Sequence, residues 1–208
     1  MKHLGLILVL GVALCQKDDD QKKEWMDEER FGKSQDAWQS IKRYLNSTYY
    51  LTNATYNNDD VWGRNFTCVF IKGYNVSEDK KSINATIRFK NSSSIALRTS
   101  LETLTAVKMY NYTIENAVKY ETQGETNESF VDALVFSAEN ACNIFYAPKA
   151  IGSNGNITGG YELWVTEQFV NYVPACCYFS FKYLTMGMPM YTIWNRSCDN
   201  TYNASVAA

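Results

Sequence analysis

The sequence predicts an all-β chain in which eight or nine short strands close into an up-and-down antiparallel barrel, with one helix before it and one after. Three observations predict this. Between residues 49 and 166, segments rich in β-branched and aromatic residues recur at close spacing, broken by Asn, Gly, Asp and Ser. The links between them are of hairpin length, so neighbours in sequence pair antiparallel, and closure leaves no strand edge exposed. Helical spacing of apolar residues occurs only outside this stretch.

The elements follow in chain order. Met1-Lys2-His3 is a basic start, residues 4–14 are apolar, and Gln16-Lys17-Asp18-Asp19-Asp20 is strongly polar. The apolar run is short for a bilayer span, and Ala13-Leu14-Cys15 supplies residues a signal peptidase accepts, so residues 1–15 are expected to be a cleaved secretion signal. Residues 16–33 are charged and lack periodicity, which predicts a loose arm. A barrel domain is expected over 34–200, followed by a short tail at 201–208. Residues 36–45 place apolar side chains at three- and four-residue steps and predict a short helix. Strands are expected at 49–56, 66–72, 83–90, 95–101, 105–112, 117–121, 130–136, 143–147 and 161–166. Residues 151–160 form a Gly- and Asn-rich turn before the last strand. After Pro174, residues 175–186 are aromatic and apolar at helical spacing, which suits a helix laid on the barrel wall. No later stretch is long and apolar enough to cross a membrane, so the mature product is expected to be secreted and extracellular, with no membrane partner.

Composition excludes several functions. Loss of residues 1–15 removes His3, the only histidine, so the mature chain lacks the commonest general base and the commonest neutral metal ligand. No phosphate-binding Gly loop and no metal-ligand cluster is apparent, and an enzyme, a metal site or a cofactor is not expected. With Lys2 gone, the 20 basic residues become 19 against 22 acidic, a balance unlike that of a nucleic-acid surface. Asn-x-Ser/Thr occurs at Asn46, Asn53, Asn65, Asn75, Asn84, Asn91, Asn111, Asn127, Asn156, Asn195 and Asn203. Sugars on even half of these would shield much of the surface and favour an interior functional site and a monomer. Five cysteines remain, Cys68, Cys142, Cys176, Cys177 and Cys198, which predicts two disulfides and one leftover thiol among the adjacent pair Cys176 and Cys177.

Acids and aromatics stand close together twice, in Tyr56-Asn57-Asn58-Asp59-Asp60-Val61-Trp62 and in Gly160-Tyr161-Glu162-Leu163-Trp164. On a strand Glu162 and Trp164 point to one face. A cavity that takes an organic cation must replace its water with carboxylates, and aromatic faces add about 0.5–2 kcal/mol each.

These segments, with Gln35-Asp36-Ala37-Trp38, Tyr49-Tyr50, Ala54-Thr55-Tyr56, Val61-Trp62-Gly63, Phe66-Thr67-Cys68-Val69, Thr105-Ala106-Val107-Lys108-Met109-Tyr110, Glu115-Asn116-Ala117 and Lys119-Tyr120-Glu121-Thr122, resemble the tick salivary lipocalins, specifically the histamine-binding proteins of hard ticks. The resemblance runs from about Gln35 to Cys198. It implies an eight-stranded lipocalin barrel, disulfides Cys68–Cys198 and Cys142–Cys177 (or Cys176 in its place), and two internal amine pockets. The tighter pocket would comprise Ser40, Tyr56, Asp59, Tyr120, Phe130, Asp132 and Glu162, with Trp62 and Trp164 between the pockets. The second would keep Glu102 but carries Tyr44 and Asn143 where carboxylates are usual. The implied function is sequestration of a host biogenic amine, histamine or serotonin, suppressing inflammation. An apolar lipid mediator is the alternative cargo, and a host protein bound by the outer surface is the third.

Overall fold

The computed structural model describes residues 23–123, 129–152 and 154–198. Two helices and a run of strands follow one another: α1 (Glu28–Phe31), α2 (Ala37–Lys42), then β1 (Tyr49–Ala54), β2 (Asn58–Asp59), β3 (Gly63–Arg64), β4 (Thr67–Ser77), β5 (Ser82–Asn91), β6 (Ser94–Val107), β7 (Ala117–Thr122), β8 (Ser129–Ala138), β9 (Cys142–Ala147) and β10 (Gly160–Thr166), and finally α3 (Ala175–Leu184) and β11 (Tyr191–Thr192). β4 to β10 pair each with the next, and β10 returns to β1, which also pairs with β4. Eight antiparallel strands therefore close into a barrel. β11 adds to β1 at Asn53 and Ala54, and β2 with β3 makes a separate tiny hairpin.

Alternation along the strands decides what faces in. In β5 residues 83, 85, 87 and 89 are buried while 84, 86, 88 and 90 are half exposed, the period-two signature of a sheet with one wet face. The interior cluster includes Leu51, Phe66, Ile71, Ile83, Leu104 and Phe145. β10 is buried along its whole length because both its faces are covered. Glu162 and Trp164 look inward, while Tyr161, Leu163 and Val165 join an outer cluster with Cys177 and Phe181 of α3. The expected helix on the wall is there, and the disulfide Cys142–Cys177 fastens it to β9. Cys68–Cys198 ties β4 to the C-terminal end of the described chain. Cys176 is the leftover thiol, and it is exposed.

The structure corrects the sequence reading of two segments. The segments 95–101 and 105–112 are not two strands, because β6 runs unbroken through Ser94–Val107. The chain then turns through Tyr110 and Asn111, both in the left-handed region at φ 56° and 62°. The arm expected to be loose is packed from Lys23 onward. Trp25 is buried, its indole N–H donates to the Tyr161 hydroxyl at 3.1 Å, and Gln35 Nε2 donates to the Trp25 and Val135 carbonyls at 2.9 Å each. One large aromatic ring, rather than periodicity, anchors this segment. Asn91 is buried, with its amide donating to the Trp62 carbonyl at 2.7 Å, so that sequon is used inside the fold. The expected signal at 1–15, the start of the arm at 16–22, the sequons Asn127 and Asn203 and the tail at 201–208 lie outside the described residues.

Candidate functional site

One end of the barrel is closed by α2 and the turn after it. The other end opens under the β2–β3 hairpin, which is carried over the mouth between β1 and β4. Gly63 turns this hairpin at φ +84°, a conformation that suits glycine. Beneath it lies a cavity of about 60 Å3 lined by Tyr56, Asp59, Trp62, Glu102, Tyr120, Phe130, Asp132, Glu162 and Trp164, among others. That volume holds several waters by the measure of about 10–15 Å3 each. Nine of the ten ligand-binding residues expected from the sequence thus line one space. Ser40 does not. It is buried on α2, and its hydroxyl has no hydrogen-bond partner among the described residues.

Each acid is held differently. Asp59 accepts backbone hydrogen bonds from Val61 and Trp62, both at 2.7 Å, through one carboxylate oxygen. An Asx turn of this kind fixes the side chain and the hairpin together. Glu162 lies on β10 with Tyr56 donating to one oxygen and the Trp164 indole donating to the other at 2.7 Å. Gly160 allows this arrangement, since a Cβ there would come within 2.5 Å of the Tyr56 ring. Glu102, on β6, accepts from Ser100 and, at 3.1 Å, from Thr122, while its second oxygen is buried without a partner. Asp132 enters from β8.

Burial disfavours the ionised form of all four, and their pKa values rise. Glu162 is pushed up to about 7 by burial, against the lowering hydrogen bonds from Tyr56 and Trp164, with the Asp59 charge adding to the rise. Asp132 is raised well above its usual value by burial and then by the charges of Glu162 and Asp59. Asp59 and Glu102 are raised too, first by burial. The aromatic walls are mutually braced. Trp62 and Trp164 meet edge-on at 6.2 Å between ring centroids, and Trp62 meets Phe66 at 5.0 Å. The arrangement concentrates carboxyls and ring faces, which suits an organic cation.

Two features of the site were not legible in sequence. Glu102 shares the cavity of Asp59 rather than serving a second pocket; its β6 position faces inward opposite Thr122 across the ladder. Lys149 also lines the mouth, with its ammonium 5.3 Å above the Phe130 ring. It follows Pro148 just after β9, where strand alternation no longer says which way a side chain points. At the closed end Tyr44 and Asn143 are fully buried, and the Asn143 amide donates to the Tyr44 hydroxyl at 3.4 Å.

Comparison with known proteins agrees with the geometry. Residues 25–200 match the family model of the tick histamine binding protein. The male-specific histamine-binding salivary protein of Rhipicephalus appendiculatus is 44% identical over 178 residues, 86% of each chain. The female-specific histamine-binding protein 1 of the same tick is 36% identical over 195 residues, 94% of this chain and 96% of that one. Among solved structures, the AM182 serotonin complex superposes with a TM-score of 0.52 at 19% identity over 78% of this chain and 91% of that one. Lobster apocrustacyanin A1 does so with 0.53 at 13% identity, over 88% and 93%. These two show the lipocalin fold. On these sequence matches, the chain belongs to the tick histamine-binding protein family.

Proposed function

We propose that this chain is a secreted, non-catalytic scavenger that holds one molecule of a biogenic amine, histamine or serotonin, under the β2–β3 hairpin and so lowers free amine at a feeding site. The observation that carries the reading is the convergence of Asp59, Glu102, Asp132 and Glu162 on one cavity walled by Tyr56, Trp62, Tyr120, Phe130 and Trp164. Glu102 supports it most directly, since its buried second oxygen has no hydrogen-bond partner among the described residues. Secretion is supported by the apolar leader and by relatives named as salivary proteins.

The cation supplies what the acids lack. Its charge favours their ionised forms, and its N–H groups satisfy oxygens that the fold leaves open. Sequestration is stoichiometric, so it requires sub-micromolar affinity, about −8 kcal/mol or better. One site per chain is supported by Tyr44 and Asn143, which meet each other where a second acid pair would be needed. Titration calorimetry of the mature protein with histamine, then serotonin, tests the reading. Saturable binding at one amine per chain is expected, and absence of heat for both at micromolar protein overturns it. Lys149 at the mouth favours a lipid carboxylate as the second reading, and co-purified lipid in native mass spectrometry would support that instead.

A further inference from the structure

The β2–β3 hairpin roofs the cavity, and the turn between β5 and β6 lies against it. At the end of β5, Asn91 Nδ2 donates to the Trp62 carbonyl at 2.7 Å. Ser92 donates from its backbone N–H and from its hydroxyl to the Arg64 carbonyl, each at 3.0 Å. The two acceptors flank Gly63, which packs so closely that a Cβ built there would stand 2.9 Å from Asn91 Nδ2. The other end of the same amide is committed too. Its Oδ1 accepts from the Ser93 N–H at 3.1 Å and from the Ser93 hydroxyl at 2.7 Å. Both polar atoms of the Asn91 side chain are therefore engaged, and the residue is only 9% exposed.

These contacts matter because β2 and β3 pair only with each other, so no strand ladder fixes the hairpin to the barrel. Yet the hairpin region carries Asp59 and Trp62, two of the residues that line the cavity. Asp59 shapes the hairpin from within by holding the Val61 and Trp62 N–H groups. Asn91 and Ser92 hold it down from outside.

Asn91-Ser92-Ser93 is also a sugar-acceptor sequence. Asn65, Asn75, Asn111, Asn156 and Asn195 are exposed acceptors, whereas Asn91 is buried. An N-linked sugar replaces one hydrogen of Nδ2 with a bond to a bulky ring, at the one atom on which the Trp62 carbonyl and Gly63 already pack. The sugar and the seated hairpin exclude each other.

We propose that Asn91 is a positioning residue of the amine site, latching the hairpin over the cavity, and that the amine-binding form of the protein carries no sugar at this sequon. A sugar there would lift the Trp62 backbone and take Asp59 and the Trp62 ring away from the ligand together. The inference rests on the amine reading for its ligand, but the latch belongs to the empty fold and is measured without one.

The test uses the full mature chain secreted from eukaryotic cells. Hydrogen–deuterium exchange over residues 58–64, read without ligand, is expected to be at least tenfold faster in Asn91→Asp, which loses the donor. The same is expected of Asn91→Ser, whose shorter side chain falls short of the Trp62 carbonyl. Ser93→Ala destroys the same sequon but keeps Nδ2, and is expected to match the parent. Histamine and serotonin titrations should divide the same way, at least fivefold weaker in both Asn91 variants and parental in Ser93→Ala. In parent protein eluted from a histamine column, peptide mapping is expected to find Asn91 unmodified, with enzymatic sugar release marking each used sequon as aspartate. Exchange equal in the parent and both Asn91 variants overturns the latch, and a sugar on Asn91 in the eluted protein overturns the exclusion. Faster exchange with unchanged affinity removes Asn91 from the amine site. A parent that binds neither amine refutes the amine reading, and the exchange comparison still decides the latch.

Discussion

Glu162→Gln separates the two demands made on this barrel. Glu162 is 3% exposed, and its carboxyl is held near 7 in place of 4.5 because burial opposes its charge. Keeping it ionised in the empty protein above pH 7 costs about 3 kcal/mol. The amide removes that cost, but it presents one acceptor oxygen to two donors, the Tyr56 hydroxyl and the Trp164 indole, and loses about 1–2 kcal/mol of hydrogen bonding. The variant is therefore expected to be about 1–2 kcal/mol more stable than the parent at pH 8 when empty. At pH 5 the parent carboxyl is already neutral, so the variant should be about 1 kcal/mol less stable. The sign follows from linkage. The folded state binds more protons than the unfolded one between about 4.5 and 7, so the parent's stability falls as pH rises through that window. Binding moves the other way: a buried ammonium short of one charged partner loses at least about 1.4 kcal/mol, a tenfold weaker complex. Urea unfolding at pH 5 and pH 8, paired with histamine calorimetry at pH 8, reads both quantities. An unchanged affinity would remove Glu162 from the site, and a stability difference equal at both pH values would refute the raised carboxyl.

Other consequences are equally open to measurement. Amine affinity is expected to weaken as pH falls below about 7, by up to tenfold per pH unit for each proton the acids must release, and calorimetry in buffers of different ionisation enthalpy counts those protons; a flat profile from pH 7.5 to 5.5 contradicts it. Asn143→Asp puts a carboxylate at a fully buried position beside Tyr44, so it is expected to lower stability at pH 8 by about 1–3 kcal/mol while stoichiometry stays at one amine per chain; a rise to two would show usable space at the closed end. Trp25→Ala is expected to cost about 3–5 kcal/mol in urea unfolding with affinity within about twofold, because the ring packs outside the barrel. Removal of Cys68–Cys198, with its separation of 130 residues, should cost about 5 kcal/mol, against about 4 for Cys142–Cys177 with 35.

The sequence made the barrel legible because its strands are short, alternating and joined by turn residues, and because hairpin links leave few topologies open. Within the cavity, alternation and the acid–aromatic segments picked out Tyr56, Asp59, Trp62, Glu162 and Trp164, whereas Tyr120, Phe130 and Asp132 came only from the family resemblance; once Glu162 is on a strand, Trp164 must share its face, and the two side chains are hydrogen-bonded in the fold. What escaped lies where no period governs direction. Lys149 follows a proline beyond the end of β9, and Trp25 sits in a segment of turns and single helical coils whose charges hide one decisive ring. Glu102 entered only through the family resemblance, as part of a second pocket; its depth along a strand of 14 residues, which no pattern gives, puts it in the cavity of Asp59. Ser40 departs in the other direction: the resemblance put it in the tighter pocket, and here it is buried on α2 and does not line the cavity.

Four carboxyls in one cavity also explain the reinforcement around it. In the empty protein each acid is either neutral at neutral pH or ionised at a cost, so the site subtracts from stability until a cation arrives. A barrel that carries such a burden needs stabilising contacts remote from the ligand, where they do not blunt the demand for charge. The two disulfides, the α3 helix on the wall and the Trp25–Gln35–Tyr112 network all lie outside the cavity. Tyr112 illustrates the division: its hydroxyl is 2.7 Å from both the Trp25 carbonyl and Gln35 Oε1, joining the arm to the loop after β6 without touching the acids. The rigidity so obtained also serves affinity. Asp59 is fixed by its Asx turn, Glu162 by tyrosine and indole donors and Glu102 by Ser100 and Thr122, so the ligand meets three acids that need little reorganisation.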